Sequence, residues 1–170
     1  MLLIRTAARR SALVALVALA GCDSNDSPTL LVALTPVEAE TARGVILGGS
    51  AEDCDVAVSP LVDSASGRFD PAVRCGTFGY HTFRVVGPAY VQIESESDAP
   101  NEATVLFRIA DGYLDRVAGT NGEGAERAVL RARLEPEIYV FAIAGYDNSA
   151  RPVPGDYTVS VEVEALETGE

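Results

Sequence analysis

Tyr157-Thr158-Val159-Ser160-Val161-Glu162-Val163-Glu164 alternates apolar and polar residues without a break. Side chains on a strand point alternately to its two faces. This period therefore puts Tyr157, Val159, Val161 and Val163 on one face and the polar set on the other, as in a half-buried β-strand. The same grammar runs upstream. Ile138 to Ala144 (IYVFAIA) is apolar on both faces, which fits a strand in the middle of a sandwich. Ala128 to Leu134 turns Ala128, Leu130, Ala132 and Leu134 inward and Arg131 and Arg133 outward. Thr104 to Ile109 sets Val105, Phe107 and Ile109 on one face, and His81 to Val85 and Ala89 to Glu94 alternate too. Asp111-Gly112 turns the chain into a short strand, Leu114 to Ala118, and Asn121-Gly122-Glu123-Gly124 has the chemistry of a loop. Short strands separated by turn residues predict an all-β fold, a single antiparallel β-sandwich. The pattern predicts no helix in this body and no internal repeat.

Before Tyr80 the pattern is weaker. Thr29 to Val37, interrupted by Pro36, reads as a first strand, and Arg43 to Gly49 as a second closed by glycines. Glu52 to Gly79 holds two cysteines, two prolines and much Ser, Gly and Asp, so it reads as irregular, with Asp55 to Val58 as a short strand inside it.

The first residues are of another kind. Arg5, Arg9 and Arg10 precede the short apolar run Ser11 to Ala20, which ends in Leu19-Ala20-Gly21-Cys22. A membrane span needs ~20 apolar residues, about twice this run. A basic segment, an apolar segment and small residues at a cut site make a signal peptide. An ordinary secretory signal followed by a chance cysteine is the plainer alternative; small residues directly before the cysteine favour a lipobox. These residues resemble the signal peptides of bacterial lipoproteins. The resemblance implies cleavage between Gly21 and Cys22 and covalent lipid, palmitate included, on the Cys22 sulfur. One acyl chain anchors only marginally, at ~0.8 kcal/mol per buried CH₂, so two or three chains on one cysteine would hold the protein on a membrane. Asp23 resembles the inner-membrane retention signal of enteric lipoproteins. The expected organisation is residues 1–21 as signal peptide, 22–28 as lipidated cysteine and polar tether, and 29–170 as the β-sandwich domain, with 80–163 its clearest part.

Net charge is −12, and removing residues 1–21 takes away three arginines and no acid, which carries it to −15. Such a surface repels phosphate backbones, so nucleic acid is not an expected partner. All basic residues are arginine. Once Cys22 is lipidated, Cys54 and Cys75 remain, and two thiols exported to an oxidising space most simply pair. A disulfide over a loop of that length contributes about 3 kcal/mol in the chain-entropy account. A redox or metal pair is the alternative, but the spacing is far from C-x-x-C.

Within the body, Tyr80-His81-Thr82-Phe83-Arg84-Val85 reads as an aromatic entry strand. It is followed by Ala103 to Ile109, the turn Asp111-Gly112-Tyr113-Leu114, then Leu134 to Val140 and Gly155-Asp156-Tyr157-Thr158-Val159-Ser160-Val161. In order and spacing, residues 80–163 resemble the bacterial pre-peptidase C-terminal (PPC) domain, a small jelly-roll-like β-sandwich. Two features depart from that pattern: Glu137 stands where the family has a turn glycine, and the cysteine-bearing segment 52–79 has no counterpart. The resemblance implies a non-catalytic appendage that binds a substrate or surface.

His81 is the only histidine, so any Ser/His/Asp or Cys/His site would need it. It shares a strand face with Phe83 and Val85, which reads as a packed core residue. Glu94, Glu96 and Asp98 lie in a row, with Asn101 and Glu102 close by, and are the candidate calcium ligands. Calcium takes about six to eight oxygens, and no EF-hand or repeat spacing is present. The plainer reading of these acids is a soluble surface. Outward Arg84, Arg108, Arg131 and Arg133 read as cross-strand partners of Glu94, Glu162 and Glu164. The chain is expected to be no enzyme and to need no cofactor beyond the lipid, calcium being the one candidate. The expected function is a lipid-anchored binding module of the cell envelope, facing the periplasm or exterior, for a glycan, a cell-wall polymer or an envelope protein. A structural or assembly subunit is the alternative, and a small hydrolase the remote one.

Overall fold

The structure is a computed structural model that describes residues 30–48, 54, 58–122 and 127–166. The lipobox, the cleavage site and residues 22–28 lie outside the described residues. Among the described residues, ten strands and one helix follow in the order β1 (Leu31–Val32), α1 (Pro36–Ile46), β2 (Val58–Pro60), β3 (Ser64–Phe69), β4 (Gly79–Val85), β5 (Ala89–Ser97), β6 (Asn101–Ala110), β7 (Tyr113–Gly122), β8 (Arg127–Leu134), β9 (Ile138–Tyr146) and β10 (Gly155–Ala165). They form two sheets. Sheet A runs β1-β4-β9-β6-β7, with β2 also on β4, and sheet B runs β3-β10-β5-β8. Every pairing is antiparallel except β2 with β4. The expected all-β sandwich is the fold.

The period-two run became β10, between β3 and β5, with Tyr157 and Val159 buried and Thr158 and Ser160 exposed. β9 is flanked by β4 and β6 and is buried from Tyr139 to Gly145 on both faces, as its unbroken apolar sequence requires. On β8, Ala128, Leu130 and Leu134 point in while Arg131 and Arg133 point out. Positive φ at Asp111 and Gly112 (51° and 80°) makes the tight turn between β6 and β7.

Four expectations need correction. First, Thr29 to Val37 is not one strand: only Leu31–Val32 pairs, and Pro36 opens α1. Thr35 and Glu38 form a reciprocal capping box, and proline suits the first helical position because its missing N–H has no intrahelical partner there. Second, Arg43 to Gly49 is not a strand: its residues through Ile46 close that helix, so the body does contain one helix. Short apolar runs do not separate strand from helix by period, and the cap decides. Third, segment 52–79 is not irregular throughout, because it contains β2 and β3. β3 (SASGRF) escapes a hydrophobicity reading because its inward positions include Ala65 and Gly67. Fourth, the strand read as Leu114 to Ala118 runs from Tyr113 to Gly122, and so includes the first half of the supposed loop 121–124; residues 123–126 lie outside the described residues.

The two sheets are joined through Tyr157. Its ring stacks on Phe69 (centroids 5.6 Å apart, planes 6° apart) and meets His81 edge-on, with Nε2 and the hydroxyl 3.0 Å apart. Gly67 on β3 and Gly79 on β4 make the space: a Cβ at either would lie 2.5 Å or 2.1 Å from the Tyr157 hydroxyl oxygen. Burial lowers the His81 pKa to about 4, against the backbone of Ser59, which favours the charged ring. Burial likewise raises the Tyr157 pKa to about 12, so at neutral pH the pair is an uncharged imidazole and a phenol.

Two outcomes follow. Gly79→Ala should destabilise the domain by about 1–3 kcal/mol through overpacking against an immobile ring, read as a lower urea midpoint at unchanged slope. His81 binds a proton more weakly when folded than when unfolded, so its contribution is complete above ~6.5 and is lost as pH falls from there towards 4. His81→Gln should remove that part of the pH dependence, roughly 3 kcal/mol at most, as measured by denaturant titrations of both proteins between pH 7 and pH 4.

Candidate functional site

The sheets differ on their outer faces. On sheet A the outer positions of β9, Val140, Ala142 and Ala144, are all buried. Helix α1 is tied to this sheet by an ion pair between Glu38 and Arg84, and to the disulfide segment by Arg43, which donates to the Cys54 carbonyl at 2.8 Å. The outer face of sheet B is open. Strand register lays it out in rows: Ser66, Thr158, Glu96 and Arg127; Ser64, Ser160 and Glu94; Glu162, Gln92 and Arg131; Glu164, Tyr90 and Arg133.

Two adjoining grooves cut this face. The larger, about 1370 Å³, lies over Arg68, Glu96, Asp98, Pro100, Arg127 and Thr158. The smaller, about 500 Å³, continues it over Ser64, Ser66, Glu94, Glu96, Thr158 and Ser160. The smaller groove follows the hydroxyl side chains Ser64, Ser66, Thr158 and Ser160 of β3 and β10, beside the longer Glu94 and Glu96 of β5. Arg68 bonds Asp156 at 2.9 Å, Arg127 pairs with Glu94, and Arg131 donates to Gln92 at 2.7 Å. Pairs this exposed are screened by solvent, so they order side chains more than they stabilise the fold.

One acid that the sequence groups with the surface row is instead buried. Glu102, at the start of β6, is 1% exposed. Ser95 donates to its Oε1 from the opposite sheet, while Oε2 has no partner among the described residues. Burial raises the Glu102 pKa, with Ser95 and Ser97 opposing and Glu96 adding to the rise. Position 102 is core-facing because β6 turns Glu102, Thr104 and Leu106 inward. Val105, Phe107 and Ile109, which do share a face, stand half-buried on the other side.

The other expected residues are placed as follows. Cys54 and Cys75 form a disulfide with Cα atoms 5.9 Å apart. Glu94 and Glu96 stand on the outer face of β5, and Asp98 follows it, its carboxylate accepting from the Asp156 amide at 2.8 Å. Among the described residues no three His, Cys, Asp or Glu side chains are gathered as a metal would need. His81, 1% exposed, faces Tyr157 rather than solvent. The expected cross-strand partners are not the ones found: Arg84 pairs with Glu38, Arg108 with Asp115 and Glu137, Arg133 with Glu135, and Arg131 donates to Gln92, while Glu94 is taken by Arg127. Among the described residues no helix is long and apolar enough to cross a membrane.

The chain is thus a two-sheet antiparallel sandwich with one covered face and one open, polar, grooved face. Among solved structures it is similar to the pre-peptidase C-terminal domain of collagenase from Bacillus anthracis, at 17% identity over 65% of this chain and 100% of that one, with a TM-score of 0.51. It also matches PliG of Aeromonas hydrophila, a periplasmic inhibitor of g-type lysozyme, at 11% identity over 64% of this chain and 96% of that one, with a TM-score of 0.44. The first likeness bears out the expected sandwich fold. No family model and no curated protein sequence matches the chain.

A folded-state carboxyl with a raised pKa stabilises the fold below its ordinary value and loses that contribution as pH rises. Glu102→Gln keeps the shape and the Ser95 bond without the charge. It should therefore raise stability at pH 8 by about 1 kcal/mol and leave it nearly unchanged at pH 4, as checked by urea midpoints at the two pH values.

Proposed function

We propose that this chain is a lipid-anchored, non-catalytic binding module of the bacterial cell envelope, and that it presents the open face of sheet B to its ligand. The carrying observation is the asymmetry of the sandwich: sheet A is covered along β9, while sheet B offers two joined grooves. The grooves are lined by hydroxyls, carboxylates and guanidinium groups whose mutual bonds orient them and leave lone pairs and N–H groups for a ligand. The sole histidine is buried and bonded to Tyr157, so it offers no exposed imidazole to a solvent-borne substrate. The Cys54–Cys75 disulfide fits an oxidising compartment. The sequence supplies the anchor: Leu19-Ala20-Gly21-Cys22 after a basic and an apolar segment, with 22–28 as a polar tether between lipid and sandwich. A glycan, a cell-wall polymer and an envelope protein are the ligand classes that a polar groove facing the periplasm or exterior could meet.

Intact-mass measurement of the native protein should give residues 22–170 plus an acylated glyceryl group on Cys22, and Cys22→Ser should abolish the modification and release the chain from membranes. A native mass with residues 1–21 retained, or with an unmodified Cys22 thiol, would refute the anchor. For the binding face, a Thr158→Arg, Ser160→Arg double variant fills the groove without touching the core. It should weaken retention of envelope material by tenfold or more in pull-downs with delipidated protein; equal retention would refute this face as the site.

A further inference from the structure

Each sheet has two edges, one of sheet A's being shared by β1 and β2 along β4, and every edge must be guarded or be available for pairing. On sheet A, β1 and β2 are only two and three residues long, and β2 ends in Pro60. β7 has a register shift opposite Leu106/Phe107 and carries Asp115 and Arg116 beside it. On sheet B, β8 bears Arg127, Arg131 and Arg133 and lies against β7 where the sheets meet. β3 has none of these guards: it is six residues long and contains no proline, and its one charged side chain, Arg68, is turned inward along the sheet to Asp156.

The hydrogen-bond phase of β3 is determined by its partner. Val161 donates to the Asp63 carbonyl, which makes Val161 and Asp63 a hydrogen-bonded pair. Antiparallel pairs alternate, so Ala65, Gly67 and Phe69 bond to β10, while the N–H and C=O groups of Ser64, Ser66 and Arg68 point away from it. Among the described residues no strand pairs with them. The outer face is also polarised. Glu94, Glu96, Asp156, Glu162 and Glu164 lie on the two strands next to β3, and the arginines of β8 lie at the far edge. Arg68 offsets Asp156 and Arg127 offsets Glu94, and Glu96, Glu162 and Glu164 leave this side of the face net negative, which favours a basic partner over a second copy of this acidic chain.

We infer that the β3 edge is a strand-addition site at which an extended, basic segment of a partner protein pairs antiparallel with Ser64, Ser66 and Arg68. This inference rests on the reading of the chain as a binding module and specifies its partner as protein. Main-chain bonds supply the docking, and the neighbouring carboxylates supply the preference for arginine and lysine.

The test uses the full chain in detergent micelles and a peptide about nine residues long that alternates arginine and threonine. The peptide should bind and slow amide exchange at Ser64, Ser66 and Arg68. Its glutamate-for-arginine counterpart, and a version N-methylated at alternate residues, should bind at least tenfold more weakly. Ser66→Pro removes an outward N–H without breaking the β10 ladder, and Ser66→Lys repels a basic strand while retaining the fold; each should weaken binding at least tenfold. Equal binding of the N-methylated peptide, equal binding by both variants, or unchanged exchange at β3 would overturn the site. So would self-association through β3 in place of peptide binding. An envelope partner retained equally by wild type and Ser66→Pro refutes the edge but leaves the binding-module reading standing. Absence of any retained partner, with peptide still held at β3, refutes that reading instead.

Discussion

The sandwich depends on one aromatic ring that belongs to one sheet and is housed by both. Tyr157 rises from β10 in sheet B, and the missing side chain of Gly79 in sheet A receives its hydroxyl end. On its own sheet Gly67 clears the same ring, Phe69 stacks on it, and His81 from sheet A meets its hydroxyl. Stacking and burial supply the nonpolar part of this contact. The single hydrogen bond matters chiefly because neither polar atom could be left alone at that depth. A larger residue at either glycine, or a charged imidazole, would force the sheets apart at this point.

That constraint explains how much of the fold was legible. β9 and β10 declare themselves through a hydrophobic period because their side chains meet the core directly. β3 does not, because two of its three inward positions, Ala65 and Gly67, are small, and Gly67 admits a ring contributed by residue 157. Its strand character lies in its pairing with β10, at a separation no local pattern spans. Helix α1 differs in kind: its signal is the Thr35–Glu38 cap, whereas the apolar Val45, Ile46 and Leu47 within Arg43 to Gly49 read equally as a strand.

The site was legible in its parts rather than in its arrangement. Glu94, Glu96 and Asp98 were visible as an acidic row. That they face a trough of Ser64, Ser66, Thr158 and Ser160 follows only from the order β3-β10-β5-β8. Glu102 was grouped with those acids because it is close in sequence. The turn after β5 carries it into the other sheet, where β6 points it into the core. The local alternation points the other way: Val105, Phe107 and Ile109 make the more apolar face, yet β6 buries the face of Glu102, Thr104 and Leu106.

The two buried titrating groups bear on this arrangement with opposite sign. His81 disfavours acid, because its ring must stay neutral beside Tyr157. Glu102 disfavours base, because its carboxylate is deprived of water at the point where the chain crosses from sheet B to sheet A. Between the ordinary carboxylate and imidazole values their slopes oppose, which flattens the pH dependence of the fold across mildly acid conditions. The same crossing carries Asp98 and Pro100, which line the larger groove, so the buried carboxyl and the open face are built from one turn between the sheets.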